Sequence, residues 1–183
     1  MKLSRDFSEF IECLNKSKVR YLVIGGYAVA HHGRPRYTKD IDIWLDISPD
    51  NGARIVEALQ NFGFAALGLT ANDFQEPDTI IQLGYEPQRI DLLTSAAGID
   101  FATAWENQCP VEVDEITIRI IGLEQLLENK AAVGRPQDLA DIDALEDFYI
   151  RCLCHRVGRF DQPDKAFRFN QTNCTMHRFF LFK

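Results

Sequence analysis

The stretch 38-TKDIDIWLD-46 decides how this chain is read. Ile41, Ile43 and Leu45 alternate with Asp40, Asp42, Trp44 and Asp46, the period-two pattern of a strand. Successive side chains of a strand point to opposite faces, so residues i and i+2 share one, about 6.6 Å apart along the chain at roughly 3.3 Å per residue. Asp40 and Asp42 therefore stand side by side while the aliphatic residues pack behind them. Two adjacent carboxylates repel, and both stay ionised only with a cation between them. Mg²⁺ is the hard, oxygen-seeking ion for such a place, with Mn²⁺ the alternative; it takes one or two carboxylates and keeps positions for substrate phosphates. By itself the pair reads better as the solvent face of an edge strand. Its neighbours change that balance.

A third carboxylate is expected from an adjacent strand, and Asp91 in RIDLL fits, flanked by the packing residues Ile90 and Leu92. Gly25-Gly26 stops the apolar run Val19–Ile24 and is placed before a short helix, Tyr27–His32. Glycine there lets backbone approach a triphosphate closely, and a helix N-terminus offers N–H groups to phosphate oxygens. The intervening loop, HHGRPRYT, brings Arg34, Arg36 and Lys39 just ahead of the carboxylates. A strand-borne carboxylate pair beside a phosphate-binding turn is the apparatus of two-metal phosphoryl or nucleotidyl transfer.

Around this centre the pattern predicts an α/β (α+β) chain: a mixed sheet flanked by helices, with a helical extension at the C-terminal side. Helices are expected over Asp6–Lys16 and over Pro49–Phe62, the latter with Ser48 as N-cap and Gly63 as stop. Ile80–Leu83 and Arg89–Leu93 read as strands joined by the turn GYEP, and Val111–Val113 and Ile116–Ile121 as further strands. Phe101–Asn107 is a helical turn. Leu123–Val133 and a helix from Pro136 to about Ile150 close the body; Leu139, Ile142, Leu145 and Tyr149 form the latter's expected buried stripe. The expected organisation is a catalytic core over 1–121, a helical pair over 122–150 completing the nucleotide site, and a tail over 151–183.

With 183 residues and 46% hydrophobic content, the chain can bury one respectable core. No apolar run reaches the roughly 18 residues that span a bilayer, and MKLSRDFSEF lacks a signal-peptide core. Five irregularly spaced cysteines do not form a disulfide framework, so a reduced, cytoplasmic protein is expected, with no membrane partner. The net charge of −7 is uneven. Residues 1–150 hold 13 Lys and Arg against 25 Asp and Glu, whereas 151–183 hold 7 against 2. An acidic body argues against coating duplex nucleic acid through charge alone and suits cations mediating with phosphates.

Gly25-Gly26, a 13-residue gap, Asp40-Ile41-Asp42-Ile43 and then Asp91 resemble the signature of DNA polymerase beta-like nucleotidyltransferases. Within that superfamily, GGYAVAHHGRPRYTKDIDI looks most like the AbiEii/MenT-type minimal enzymes, through Arg36, Thr38, Asp40 and Asp42. NKAAVGRPQDLADIDAL resembles their later motif through Lys130, Arg135, Asp138 and Asp141. The resemblance spans about residues 19–148. It implies that Asp40, Asp42 and Asp91 bind two Mg²⁺ ions, that Asp91 helps activate an acceptor hydroxyl, and that Gly25 and Gly26 cradle the β- and γ-phosphates. Lys130 would contact the triphosphate, and Asp141 would orient the nucleotide or the lysine. Asp138, three positions into its helix, equally well complements the helix dipole.

The implied activity is transfer of an NMP from an NTP to the hydroxyl of a tRNA 3′ end or a protein, in a toxin–antitoxin or phage-defence setting with a cognate partner. An antibiotic-modifying nucleotidyltransferase would share the same metal core. A catalytically inactive, antitoxin-like nucleotide-binding module is the reading from another class. His31 and His32 read as ordinary surface residues at a helix end without the partners of acyl transfer, and Cys13 and Cys109 as isolated thiols in or near the core. Cys152, Cys154, His155, Cys174 and His177 in the tail are spaced too tightly at first for a usual zinc site. Arg159-Phe160, Phe167-Arg168-Phe169 and Arg178-Phe179-Phe180 could stack single-stranded bases, although a segment ordered by packing on the body or by a partner chain is the favoured reading.

Overall fold

Residue 42 sits near the middle of a six-stranded sheet, and the sheet explains why. The computed structural model of the chain describes residues 3–86 and 88–157. The strands are β1 (Tyr21–Val23), β2 (Asp40–Leu45), β3 (Ile80–Leu83), β4 (Arg89–Leu93), β5 (Cys109–Val113) and β6 (Ile116–Ile120), in the order β3-β4-β2-β1-β6-β5. β2 runs parallel to β4 and antiparallel to β1, β1 runs parallel to β6, and the outer hairpins are antiparallel. The fold is the expected mixed α/β arrangement.

The helices are α1 (Arg5–Lys16), α2 (Gly25–His31), α3 (Pro49–Phe62), α4 (Phe101–Glu106), α5 (Leu123–Val133) and α6 (Pro136–Val157). Helix α1 buries Phe7, Phe10, Ile11 and Leu14 at the spacing the sequence predicts. It meets α3 through an edge-to-face contact of Phe10 with Phe62, ring centroids 5.0 Å apart. Helix α3 opens on Pro49 and ends at Gly63 in the left-handed region, as read. Ser48 caps it only by position: its hydroxyl turns back to donate to Asp46 Oδ2, at 3.1 Å. Among the described residues no helix is long and apolar enough to cross a membrane.

Three expectations need correction. Gly25 and Gly26 are the first two residues of α2 rather than a turn ahead of it, so the helix begins directly at the end of β1. Helix α6 continues to Val157, beyond the predicted stop near Ile150. Its stripe is also different: Leu139 is 51% exposed, and the buried positions are Asp138, Asp141 and Leu145, with Ile142 and Tyr149 partly covered. The apolar count alone could not reveal a helix that turns two carboxylates inward. Two 3-10 turns, Ala65–Leu67 and Ala71–Phe74, went unpredicted, and the second buries Phe74. Positions 158–183 lie outside the described residues, as do the side chains of Cys152, Cys154 and His155.

Asn51 locks the site-bearing strands. It is fully buried; its Oδ1 accepts from Arg20 N at 2.8 Å, and its Nδ2 donates to Arg20 O at 3.0 Å and Asp46 O at 2.8 Å. One side chain thus ties the start of α3 to the outer ends of β1 and β2. Asn51→Ala leaves a buried N–H and two carbonyls without these partners, and we expect it to lower stability by about 2–4 kcal/mol in urea unfolding.

Candidate active site

Helix α2 starts where it does because glycine permits it. Gly25 has φ +60°, and a Cβ there would fall on Asp42 Oδ2. A Cβ on Gly26 would lie 2.8 Å from Thr38 Oγ1 and 3.3 Å from Arg36 Nη2. The glycine pair is therefore the floor on which the Asp42 carboxylate and the Thr38 and Arg36 side chains rest. The Gly26 backbone N–H also favours the ionised Asp42 carboxylate.

On β2, Asp40 and Asp42 share a face as predicted, with Ile41 and Ile43 buried on the other. The parallel register sets Asp42 opposite Asp91 and Asp40 opposite Arg89. The Arg89 guanidinium lies between two of the acids. It donates from Nε to Asp91 Oδ1 at 2.7 Å, and from Nη2 to Asp91 Oδ2 and Asp40 Oδ2, each at 2.8 Å. Thr38 Oγ1 donates to Asp40 Oδ1 at 2.9 Å, and Gln82 Nε2 reaches Asp91 Oδ2 at 3.4 Å. Burial pushes the Asp42 carboxyl up to about 6; the charges of Asp40 and Asp91 add to this, while Gly26 N–H and Arg135 partly oppose it.

A second charged cluster packs against the first. Lys130, with a side chain only 5% exposed, is 2.9 Å from Asp138 Oδ1 and 2.8 Å from Asp141 Oδ2. Asp141 is completely buried; Arg34 Nη1 and Gln137 Nε2 each reach its Oδ1 at 3.1 Å, and Arg36 Nε lies 3.7 Å away. Arg34 also donates to the Ala140 carbonyl. Burial would raise the Asp138 carboxyl, but hydrogen bonds from Arg135, Nε at 2.7 Å, and from Lys130 hold it below its ordinary value. Arg135 keeps a side chain 73% exposed, and its charge is felt at Asp42. The loop arginines are thus clamped to α6, and Arg36 connects this cluster to the glycine floor.

All the predicted residues fall into these two adjoining clusters. Lys130 stands between carboxylates instead of projecting into open space, and Asp138 and Asp141 are its partners. Arg89 was missed, although its i, i+2 spacing from Asp91 on one strand was a legible signal. His32 is not a surface residue: it is buried, with Nε2 2.8 Å from Ile121 O, and burial pushes it down to about 4. His31, partly buried, lies 3.6 Å from Cys109 Sγ. Cys109 is buried and Cys13 partly so, in agreement with their reading as thiols in or near the core.

Among the described residues, no three His, Cys, Asp or Glu side chains already stand as a metal cage. The donor chemistry nonetheless suits a hard divalent ion: three carboxylates from two neighbouring strands, one of them raised by burial and further by its neighbours' charge. Arg89 currently supplies the cation that links Asp40 and Asp91.

A mixed sheet with paired aspartates on one strand, a third on its parallel neighbour and a glycine floor beside them places the chain among nucleotidyltransferases. Over residues 3–161 it matches the family described as "Nucleotidyl transferase of unknown function (DUF2204)", and it belongs to that family. In three dimensions it is similar to a Thermotoga maritima protein described as a nucleotidyltransferase, with a TM-score of 0.51 and 17% identity over 83% of this chain and 92% of that one. Weaker likenesses are to an antigenic nucleotidyltransferase-like protein from Paracoccidioides brasiliensis (TM-score 0.46, 14% identity, 78% and 77% covered) and to the antibiotic-resistance factor ANT(2″)-Ia (0.42, 14%, 82% and 95%). No curated protein sequence matches the chain significantly.

Asp42 generates a pH prediction. Its folded-state value lies above that of an unfolded carboxylate, so its ionised form opposes folding. The penalty is complete above about pH 6 and absent below about pH 4. Asp42→Asn is expected to stabilise the metal-free protein at pH 7.5 by up to about 3 kcal/mol. In thermal melts that gain should shrink steadily on acidification and vanish near pH 4.

Proposed function

We propose that this chain is a Mg²⁺-dependent nucleotidyltransferase that moves an NMP from an NTP to a hydroxyl acceptor and releases pyrophosphate. The observation carrying this reading is the β2–β4 register, which sets Asp42 against Asp91 with Asp40 joined to Asp91 through Arg89. Asp40, Asp42 and Asp91 would hold one or two divalent ions, which when bound neutralise phosphate charge and lower the pKa of a coordinated hydroxyl. The family resemblance assigns Asp91 to helping activate the acceptor hydroxyl. Gly25 and Gly26 let the Asp42 carboxylate and the Thr38 side chain lie directly against the start of α2, since a Cβ on Gly25 would collide with that carboxylate; the resemblance assigns both glycines to the β- and γ-phosphates.

In this reading α5 and α6 complete the nucleotide site. Lys130, Asp138 and Asp141 fix the positions of Arg34, Arg36 and Arg135, and the exposed Arg135 is the cation best placed to meet a triphosphate. Thr38 orients Asp40. The resemblance of the GG and DID motifs to AbiEii/MenT-type enzymes favours an acceptor hydroxyl on a tRNA 3′ end or a protein, within a toxin–antitoxin or phage-defence system.

Incubation with Mg²⁺, each α-labelled NTP and total tRNA or cell extract should label a macromolecule and release pyrophosphate. Asp40→Ala and Asp42→Ala should each lower the rate at least about a thousandfold while leaving the fold intact, because the chemistry depends on charge neutralisation. Full activity in either variant removes the mechanism. Label on an aminoglycoside or lincosamide would point to the antibiotic-modifying alternative. Nucleotide binding without pyrophosphate release, unchanged by Asp42→Ala, would point to the inactive module.

A further inference from the structure

Arg89 is the one strongly placed group in the site that the proposed reaction leaves without a task. Its guanidinium makes a two-pronged contact with Asp91, using both carboxylate oxygens, and its Nη2 is shared with Asp40 Oδ2. Bidentate guanidinium–carboxylate pairs are among the strongest hydrogen-bonded contacts and fix the plane of the acid. The remaining oxygen of Asp40 is held by Thr38, while Asp42 faces the Gly26 backbone N–H and feels the charge of Arg135 but makes no hydrogen bond with an arginine. The three acids are therefore unequal before any ion arrives. A divalent ion can approach Asp42 and the Thr38-held oxygen of Asp40 without displacing the guanidinium fork from Asp91, but it can reach Asp91 only in competition with that fork.

Charge points the same way. Three carboxylates with Arg89 in place carry −2, which one divalent ion cancels. A second ion beside a retained guanidinium would leave an excess of +2 in a partly buried patch, which is costly. Arg89 has somewhere to go: its side chain is 25% exposed and stands at the first position of β4, next to the turn that carries Glu86.

We propose that Arg89 is a positioning residue that holds Asp91 and Asp40 in place without metal and competes with a divalent ion for Asp91. Binding is thereby ordered: one ion takes Asp40 and Asp42 first, and a second gains Asp91 only when Arg89 withdraws. This rests on the carboxylates being the metal site, and the test separates the two ideas.

The probe is Mn²⁺ alone, titrated into the full chain and followed by electron paramagnetic resonance of the free ion. The wild type should show one tighter and one much weaker ion. Arg89→Gln should tighten the weaker one by about tenfold or more, since the competing charge is gone. Arg89→Lys, which keeps the charge, should stay close to wild type. The metal-free Arg89→Gln protein should melt at a lower temperature than the wild type and recover more of it with Mn²⁺. Unchanged or weaker Mn²⁺ binding in Arg89→Gln overturns the role of Arg89 while leaving the metal site standing. Absence of Mn²⁺ binding in wild type and variant alike overturns both. A readout on the wild type covers the case of a variant that fails to fold: the hydrogen-bonded Arg89 Nε–H resonance should be lost at saturating Mg²⁺. Its persistence there overturns the proposal.

Discussion

Like charge crowded onto one strand pair is the constraint around which this molecule is arranged. Parallel pairing of β2 with β4 gives the sheet its centre, yet the same register sets Asp42 beside Asp91 and leaves Asp40 two residues away on the same face. Nothing in the packing requires acids there. Ile41, Ile43, Ile90 and Leu92 already bury the opposite face completely or nearly so. The acids are tolerated because two cations and one backbone dipole are directed at them: Arg89 from within the strand pair, Arg135 from the start of α6, and the backbone N–H of Gly26 from α2. Each delivery depends on a backbone feature, whether register, helix start or a glycine conformation, so site and fold cannot be varied separately.

The second cluster solves a related problem. Asp141 is fully buried and Lys130 nearly so, and isolated buried charges are costly enough that removing either partner destabilises far more than the pair contributes. What such a network does supply is definition. Asp141 can be satisfied only when Lys130, Arg34 and Gln137 converge on it, which fixes the angle of α6 to α5 and anchors the 33–37 loop. That loop feeds directly into Thr38 and Asp40. An ionic lock far less exposed than the acids therefore sets where the first of them stands.

Strands with alternating patterns and helices with punctuation were legible in the sequence. The bounds of α3, α5, β3 and β4 match their readings because Pro, Gly and apolar spacing act locally. The DID pair and Asp91 were legible for the same reason, since period two places side chains without reference to the rest of the fold. What stayed hidden depends on partners distant in sequence. Asn51 reads as a polar helix residue until it meets Arg20 and Asp46. Leu139 counts as apolar although α6 turns Asp138 and Asp141 inward in its place. His32 reads as a helix-end surface residue until β6 and the turn after it bring Ile121 O to its ring. Arg89 lay in plain view beside Asp91, but its reach to Asp40 follows from a register that no local pattern encodes.

A protein that keeps ionised Asp42 in such company accepts a less stable resting state at neutral pH, a cost that the proposed divalent ion would offset. A hydrophobic residue at 42 would fit the partly buried position and remove the repulsion, but it would also remove the contact with Gly26 N–H that fills the floor of α2. Gly25 carries the same implication from the opposite side. Its left-handed conformation and missing side chain leave just the room the carboxylate occupies, so the backbone is shaped for the acid rather than for packing. Arg89 relieves part of the repulsion at Asp40 and Asp91 but makes no hydrogen bond to Asp42, which is where the proposed divalent ion would act. A cation that also carries phosphate oxygens fulfils both requirements at once, which is why the local cost and the proposed chemistry have a single origin.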